Sequence, residues 1–129
     1  MRKPDELITS VIIPKLMNGA RVKSYKVSKR KDLDISTVSA GFRLELNGGS
    51  TVHAIKLVYG GMAERTKRAA SAEKFLIGKR WERSTIEEAM PLIDTDFTPI
   101  SDARAGAEMR RVAARNLLLK FWSETKAME

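Results

Sequence analysis

The segment richest in chemistry-capable side chains is Tyr25-Lys26-Val27-Ser28-Lys29-Arg30-Lys31-Asp32-Leu33-Asp34-Ile35. A strand-like run ends there in a hydroxyl and a dense basic cluster, followed by two carboxylates. Lys26 could neutralise electron-rich oxygen or nitrogen atoms of a ring or a phosphate, and the loop lysines with Arg30 could steer an anionic cofactor. A solvated charged loop accounts for the same residues, and on residue types alone it is the more economical account. Gly60-Gly61 is a weak phosphate-loop candidate, because the Gly-x-Gly-x-x-Gly spacing and the Walker lysine are both missing. A strand end that needs unrestricted φ explains the pair as well. Asp94 and Asp96 flank Thr95, and Glu87 and Glu88 are adjacent. A glycosidase-type acid/base pair needs carboxylates held across a cleft, which sequence neighbours do not establish. Helix-start and loop roles suffice for them.

Composition removes several other chemistries. Cysteine is absent, which excludes disulfides, thiolate nucleophiles and cysteine-ligated iron–sulfur clusters within the chain. His53 is the one histidine, which argues against a structural zinc site. A Ser-His-Asp triad would have to pass through His53, in a strand-like run without a serine elbow nearby. The 24 Lys and Arg against 16 Asp and Glu give a net charge of +8. That balance fits either an anionic partner or a solvated basic surface. The cations are spread over several segments without a nucleic-acid motif, and the two Trp, two Tyr and four Phe are partly core-like, so no nucleic-acid partner is expected. No apolar run approaches a membrane span and no signal peptide is evident, so a cytoplasmic protein without a membrane partner is expected.

These side chains need elements to position them. A length of 129 residues predicts a single domain, 1–129. Residues 6–59 read as strands and residues from 65 onward as helices, which predicts an α+β layer. Leu7–Ile13 is β-branched and apolar, closed by Pro14, and predicts a strand. Lys15–Arg21, with Asn18-Gly19, predicts a turn, and Val22–Lys29 a second strand. Phe42, Leu44 and Leu46 alternate with Arg43 and Glu45. Asn47-Gly48-Gly49-Ser50 then offers a tight turn into a return strand, Val52–Tyr59, whose buried face stays open. Ser71 is placed to cap a short helix stopped by Gly78. Ser84-Thr85-Ile86-Glu87 has the form of a capping box for a helix that kinks or ends near Pro91. Ser101 or Asp102 is placed to cap a last helix running towards Thr125. Its buried face is expected to carry Ala105, Met109, Val112 and Leu119, broadened by Leu117, Leu118, Phe121 and Trp122.

The order of the motifs adds a resemblance. Pro4-Asp5-Glu6-Leu7-Ile8-Thr9-Ser10-Val11-Ile12-Ile13-Pro14 comes first, then Tyr25-Lys26-Val27-Ser28-Lys29-Arg30 with Asp34-Ile35-Ser36. Gly60-Gly61-Met62-Ala63-Glu64-Arg65-Thr66 follows, and last Ser101-Asp102-Ala103-Arg104-Ala105 with Met109-Arg110-Arg111. Together these four segments resemble the C-terminal domain of the flavoproteins of molybdenum hydroxylases, the xanthine dehydrogenase and carbon monoxide dehydrogenase family. The resemblance covers essentially the whole chain in collinear order.

The resemblance implies an antiparallel sheet of three or four strands followed by three helices packed on one face. It implies that Ile8 matches an apolar residue lining a flavin ring, with core packing as the alternative, and that Lys26 matches a lysine that contacts the ring. Residues 29–35 resemble a loop beside the isoalloxazine near the NAD side; an acidic residue of that loop in animal enzymes falls here on Leu33, so its electrostatic effect does not transfer. FAD belongs to the complete protein and is not expected on this chain alone. The pyrophosphate-binding loops, the iron–sulfur domains and a molybdopterin subunit are expected elsewhere, with NAD as electron acceptor. The chain is thus expected to be a fragment of a larger flavoprotein, inactive alone. A stand-alone basic interaction module and an assembly domain without a ligand are the rival readings.

Overall fold

The computed structural model describes residues 3–16, 18–30, 34–48 and 50–126. Met17 of the expected turn, residues 31–33 of the expected loop and Gly49 of the hairpin turn lie outside them. Strands β1 (Arg21–Val27), β2 (Val38–Asn47), β3 (Thr51–Gly60) and β4 (Lys67–Arg68) form one antiparallel sheet in the order β1-β2-β3-β4. Helices α1 (Ala70–Leu76), α2 (Arg83–Asp96) and α3 (Ala107–Thr125) follow. This is the expected α+β arrangement, with four strands.

The β2–β3 hairpin is the centre of the sheet. Phe42 pairs with Leu57 and Leu44 with Ile55, so apolar side chains meet across the ladder on one face. The turn closes with the Ser50 N–H donating to the Asn47 carbonyl at 3.2 Å, Ser50 taking a φ of 67°. The unclean alternation of β3 has a physical cause. Glu45 pairs with Ala54 but Leu46 pairs with Val52, so His53 is the extra residue of a β-bulge. The bulge returns Val52 to the side of Ile55, Leu57 and Tyr59; all four are buried, and His53 is exposed.

Phe42 is the aromatic hub of the core, with ring centroids 5.7 Å from Tyr25, 5.1 Å from Tyr59 and 5.3 Å from Phe121. Burying each such side chain stabilises the fold by roughly 1.5–3 kcal/mol. Tyr59 satisfies its hydroxyl by donating to the Ala114 carbonyl at 3.0 Å, which ties the sheet to α3. Beside the two-residue β4, the buried Glu73 carboxylate accepts the Leu57 N–H at 2.7 Å and pairs with Arg68. A side chain thus completes an edge that the short strand leaves open.

The helices depart from expectation at their ends. Ser71 does not cap α1. Its N–H and hydroxyl both donate to Asp96, at 2.7 and 3.1 Å, so the acceptor comes from the far end of α2. The Ser84–Glu87 capping box does not form either. The Trp81 N–H donates to the Ser50 carbonyl, which holds the chain to the hairpin up to that point, and Glu82 becomes the residue before the first helical one. α2 does not end at Pro91. The ring removes one intrahelical donor, while continuation buries Ile93 completely and Phe97 nearly so. Gly106 precedes α3, and Ser101 still serves it, accepting the Ala107 N–H at 2.9 Å. The buried stripe of α3 is Arg110, Ala114, Leu117, Leu118, Phe121 and Thr125. Met109 and Val112 are exposed instead, because Arg110 takes the inward position one residue along.

Leu7–Ile13 is not a strand. The segment has no hydrogen-bonded neighbour strand in the sheet, and an isolated strand leaves both its backbone and its apolar face uncovered. Leu7, Ile8, Val11, Ile12 and Ile13 are all strongly exposed. Among the described residues no helix is long and apolar enough to cross a membrane.

Candidate functional site

The helices cover one face of the sheet, the side of Tyr25, Phe42, Leu57 and Tyr59. Cross-strand register fixes what stands on the other. One row is Lys26, Ser39 and Gly60; the next is Ser24, Gly41 and Val58; the third is Val22, Arg43 and Lys56. In the first two rows four of six positions are Ser or Gly. The result is a shelf almost free of large side chains, from which Lys26 and Val58 project. A flat apolar or aromatic surface could approach the backbone closely there, with an ammonium at its edge. At the third row the leading segment passes alongside, and Pro14, Lys15 and Leu16 enclose with Val22, Arg43 and Val58 an open groove of about 380 Å³.

Lys26 is exposed and makes no ion pair or hydrogen bond among the described residues. The neighbouring cations are committed elsewhere. Lys29 donates to the Ala103 carbonyl at 3.0 Å, and Arg30 pairs with Asp34 at 3.5 Å. That contact holds the Asp34 carboxyl below the usual carboxylate range. The basic cluster is therefore divided. Lys26 remains available on the shelf, while Lys29 and Arg30 organise the loop. Ile8 is exposed, which removes core packing within the described chain as its role, and no described hydrogen bond or strand pairing links its segment to Lys26.

Gly61 is required by close approach to backbone, whereas Gly60 is crowded only by a side chain that can turn away. A Cβ on Gly60 would meet the Ser39 hydroxyl, and one on Gly61, where φ is +77°, would collide with the Thr37 carbonyl. This is the strand-end account and not a phosphate loop. Three of the four carboxylate candidates are occupied: Asp94 pairs with Arg115, Asp96 serves Ser71, and Glu87 pairs with Arg83 at 2.7 Å, while Glu88 is exposed on the outer side of α2.

A buried guanidinium, not singled out as a candidate from sequence, lies behind the Lys26 end of the shelf. Arg110 is 4% exposed. Its Nη1 donates to the carbonyls of Thr37 and of Gly61, the latter at 2.8 Å, and its Nη2 donates to Asp102 Oδ1 at 2.8 Å. Asp102 also accepts the N–H groups of Arg104 and Ala105. Those backbone donors first, then Arg110, bring its carboxyl down to about 2. The signal in sequence was Met109-Arg110-Arg111 on an otherwise apolar helix face. Ser39 and Gly41 could have been found as the small residues alternating with Ala40 and Phe42.

The family described as CO dehydrogenase flavoprotein C-terminal domain matches residues 23–125. Among curated relatives, xanthine dehydrogenase of Emericella nidulans is 36% identical over 124 residues, covering 94% of this chain and 9% of the relative. Xanthine dehydrogenase of Oryza sativa subsp. japonica is 32% identical over 124 residues, covering 93% and 9%. The chain thus spans about 9% of the length of these relatives. Among solved structures, a Cu,Mo-CO dehydrogenase superposes with a TM-score of 0.75 at 26% identity, over 84% of this chain and 37% of that one. Carbon monoxide dehydrogenase from Hydrogenophaga pseudoflava shares the fold with a TM-score of 0.76 at 24% identity, with the same coverage. With its sheet, its helices and nearly all of its length accounted for in this way, the chain belongs to the CO dehydrogenase flavoprotein C-terminal domain family.

Proposed function

We propose that this chain is a single domain of a larger xanthine-dehydrogenase-type flavoprotein, and that the open face of its sheet forms one wall of an FAD site. The observation that carries the reading is the shelf of Ser24, Ser39, Gly41 and Gly60 with Lys26 at its edge. Small residues let a planar ring approach the sheet, and an ammonium favours negative charge developing on a reduced ring. The exposed apolar segment 7–13 fits the same reading, because contiguous exposed apolar surface marks a place where something else packs. Ile8 would lie against the ring or the domain that holds it.

FAD, when bound, would supply the redox chemistry, accepting electrons from purine hydroxylation through iron–sulfur clusters and passing them on as hydride to NAD. The chain's own part is to shape one side of the site, exclude water from it and set its charge. Most FAD contacts, the clusters and the molybdopterin would come from other domains or subunits. One wall offers too little contact to offset the immobilisation of so large a ligand.

A flavin titration tests this. The chain alone should bind FAD weakly or not at all, whereas the chain joined to an upstream FAD-binding domain should hold it stoichiometrically. Tight, stoichiometric flavin on the chain alone would refute the incomplete-site reading. A joined protein whose flavin is indifferent to substitutions on the shelf would refute the placement.

A further inference from the structure

We infer that Arg110 is a positioning residue for the Lys26 end of the open face, acting through the backbone of Thr37 and Gly61. The consequence for a flavin rests on the function proposed above; the positioning itself rests on the geometry. Lys26 is next to the last residue of β1, and its neighbour Val27 is fixed by accepting the Thr37 N–H at 2.7 Å. The carbonyl of the same Thr37 is held from behind by Arg110 Nη1, which also holds the Gly61 carbonyl at the end of β3. One planar guanidinium therefore joins the strand-end residues Thr37 and Gly61 at the edge where Lys26 stands. Its third contact, Asp102, anchors it to the turn before α3. Lys29 reaches the same turn through the Ala103 carbonyl, so the chain leaving β1 is tied to it independently.

Chemistry explains why an arginine is needed. The fork presents donors in fixed directions to acceptors on three separate segments, which an ammonium on a flexible stem cannot match. Burying the charge is costly and an apolar side chain would often serve stability as well, so fixing the strand ends is the role that accounts for its place. Gly61 belongs to the device, since any side chain there would separate its backbone from Thr37.

The test has two readouts. In the chain itself, amide hydrogen exchange by NMR should show Thr37 exchanging about tenfold faster in Arg110→Lys, as expected for loss of a charge-assisted bond. The central amides of Leu44 and Ile55 should accelerate by a smaller factor, no more than the variant's loss of global stability accounts for. Asp102→Asn should give a smaller rise of the same pattern, because its amide oxygen still serves Arg104 and Ala105; it also provides the readout if Arg110→Lys does not fold. In the flavoprotein joined to its FAD-binding domain, Arg110→Lys should shift the flavin potential in the same direction as Lys26→Met. The double variant should shift it no further than Lys26→Met alone. An unchanged Thr37 rate, or equal acceleration of all amides, would overturn the positioning role. Additive potential shifts would overturn its action through Lys26. If Thr37 accelerates as expected but Lys26→Met leaves the potential unchanged, the positioning stands and the flavin placement fails.

Discussion

Replacing Lys26 with methionine removes one positive charge from the shelf while keeping a stem of similar length. If the ammonium faces a flavin ring, the reduced and more anionic form loses a favourable contact, and the potential falls. A charge-assisted hydrogen bond contributes roughly 1.5–3 kcal/mol. For a two-electron couple about 1.4 kcal/mol corresponds to about 30 mV, so a desolvated contact gives a drop of about 30–60 mV. Lys26 is exposed here, and a pair of charges about 4 Å apart in water interacts by only about 1 kcal/mol, or about 20 mV. The expected drop therefore lies between about 20 and 60 mV, its size reporting how far the ring excludes water. The chain's own stability should change by no more than about 0.5 kcal/mol, because Lys26 supports no described contact. A redox titration of the joined flavoprotein beside wild type reads the potential, with thermal melts of the chain as control. An unchanged potential at full FAD content would return Lys26 to the status of a solvated strand-end lysine.

The glycines of the strand and helix ends give a paired test in the chain alone. Gly61 and Gly78 both have positive φ, +77° and +79°, but a Cβ on Gly78 meets nothing within 4 Å while one on Gly61 strikes Thr37. Gly78→Ala should cost about 1–2 kcal/mol for the left-handed backbone, and Gly61→Ala a further 1.5–3 or so as the Arg110 contacts are lost; equal losses in urea melts would contradict the clamp. The Asp102 carboxyl, lowered to about 2 in the fold, contributes stability that is complete above its unfolded value near 3.8 and is lost as pH falls through the folded one. The stability gap between wild type and Asp102→Asn should accordingly narrow as pH drops from about 5 to about 2, read by denaturant melts across that range, and a gap independent of pH would show that the carboxylate's charge is not what Arg110 uses.

Much of the fold was legible because its signals are local. The alternation of Phe42, Leu44 and Leu46, the turn residues after Leu46 and the glycines at 60, 61 and 78 each dictate conformation within a few residues. What failed depended on partners distant in sequence. Nothing near Ser71 announces that Asp96 will take its N–H, and nothing near Ser84 announces that Ser50 will hold Trp81. Leu7–Ile13 has the composition of a strand and lacks a strand to pair with. The buried face of β3 stayed open in sequence because the bulge at His53 adds one residue and so puts Val52 on the side of Ile55, Leu57 and Tyr59. Lys26 could be nominated from its setting at a strand end. The shelf beside it could not, since Ser39, Gly41 and Gly60 become neighbours of Lys26 and Ser24 only through the register of three strands. Arg110 was hidden for the same reason. On a helix dominated by apolar residues a charge reads as outward-facing, and the carbonyls of Thr37 and Gly61 together with the Asp102 carboxylate explain why this one points in.

Gly41 offers the most direct measurement of whether the open face receives the flavin and the domain that carries it. It is exposed on the shelf in a central strand, and a Cβ there meets nothing within 4 Å, so Gly41→Leu starts a bulky side chain from open surface beside the groove that Pro14, Lys15 and Leu16 line. The measurement is the FAD content of the joined flavoprotein carrying Gly41→Leu, beside Asn116→Leu on the exposed side of α3 as a control for added apolar surface. The account predicts that Gly41→Leu leaves the chain's melting unchanged yet lowers flavin affinity by about tenfold or more, as one obstructed contact worth about 1.4 kcal/mol or more would do, while Asn116→Leu leaves it intact. Full FAD content and an unchanged flavin spectrum in Gly41→Leu would contradict it.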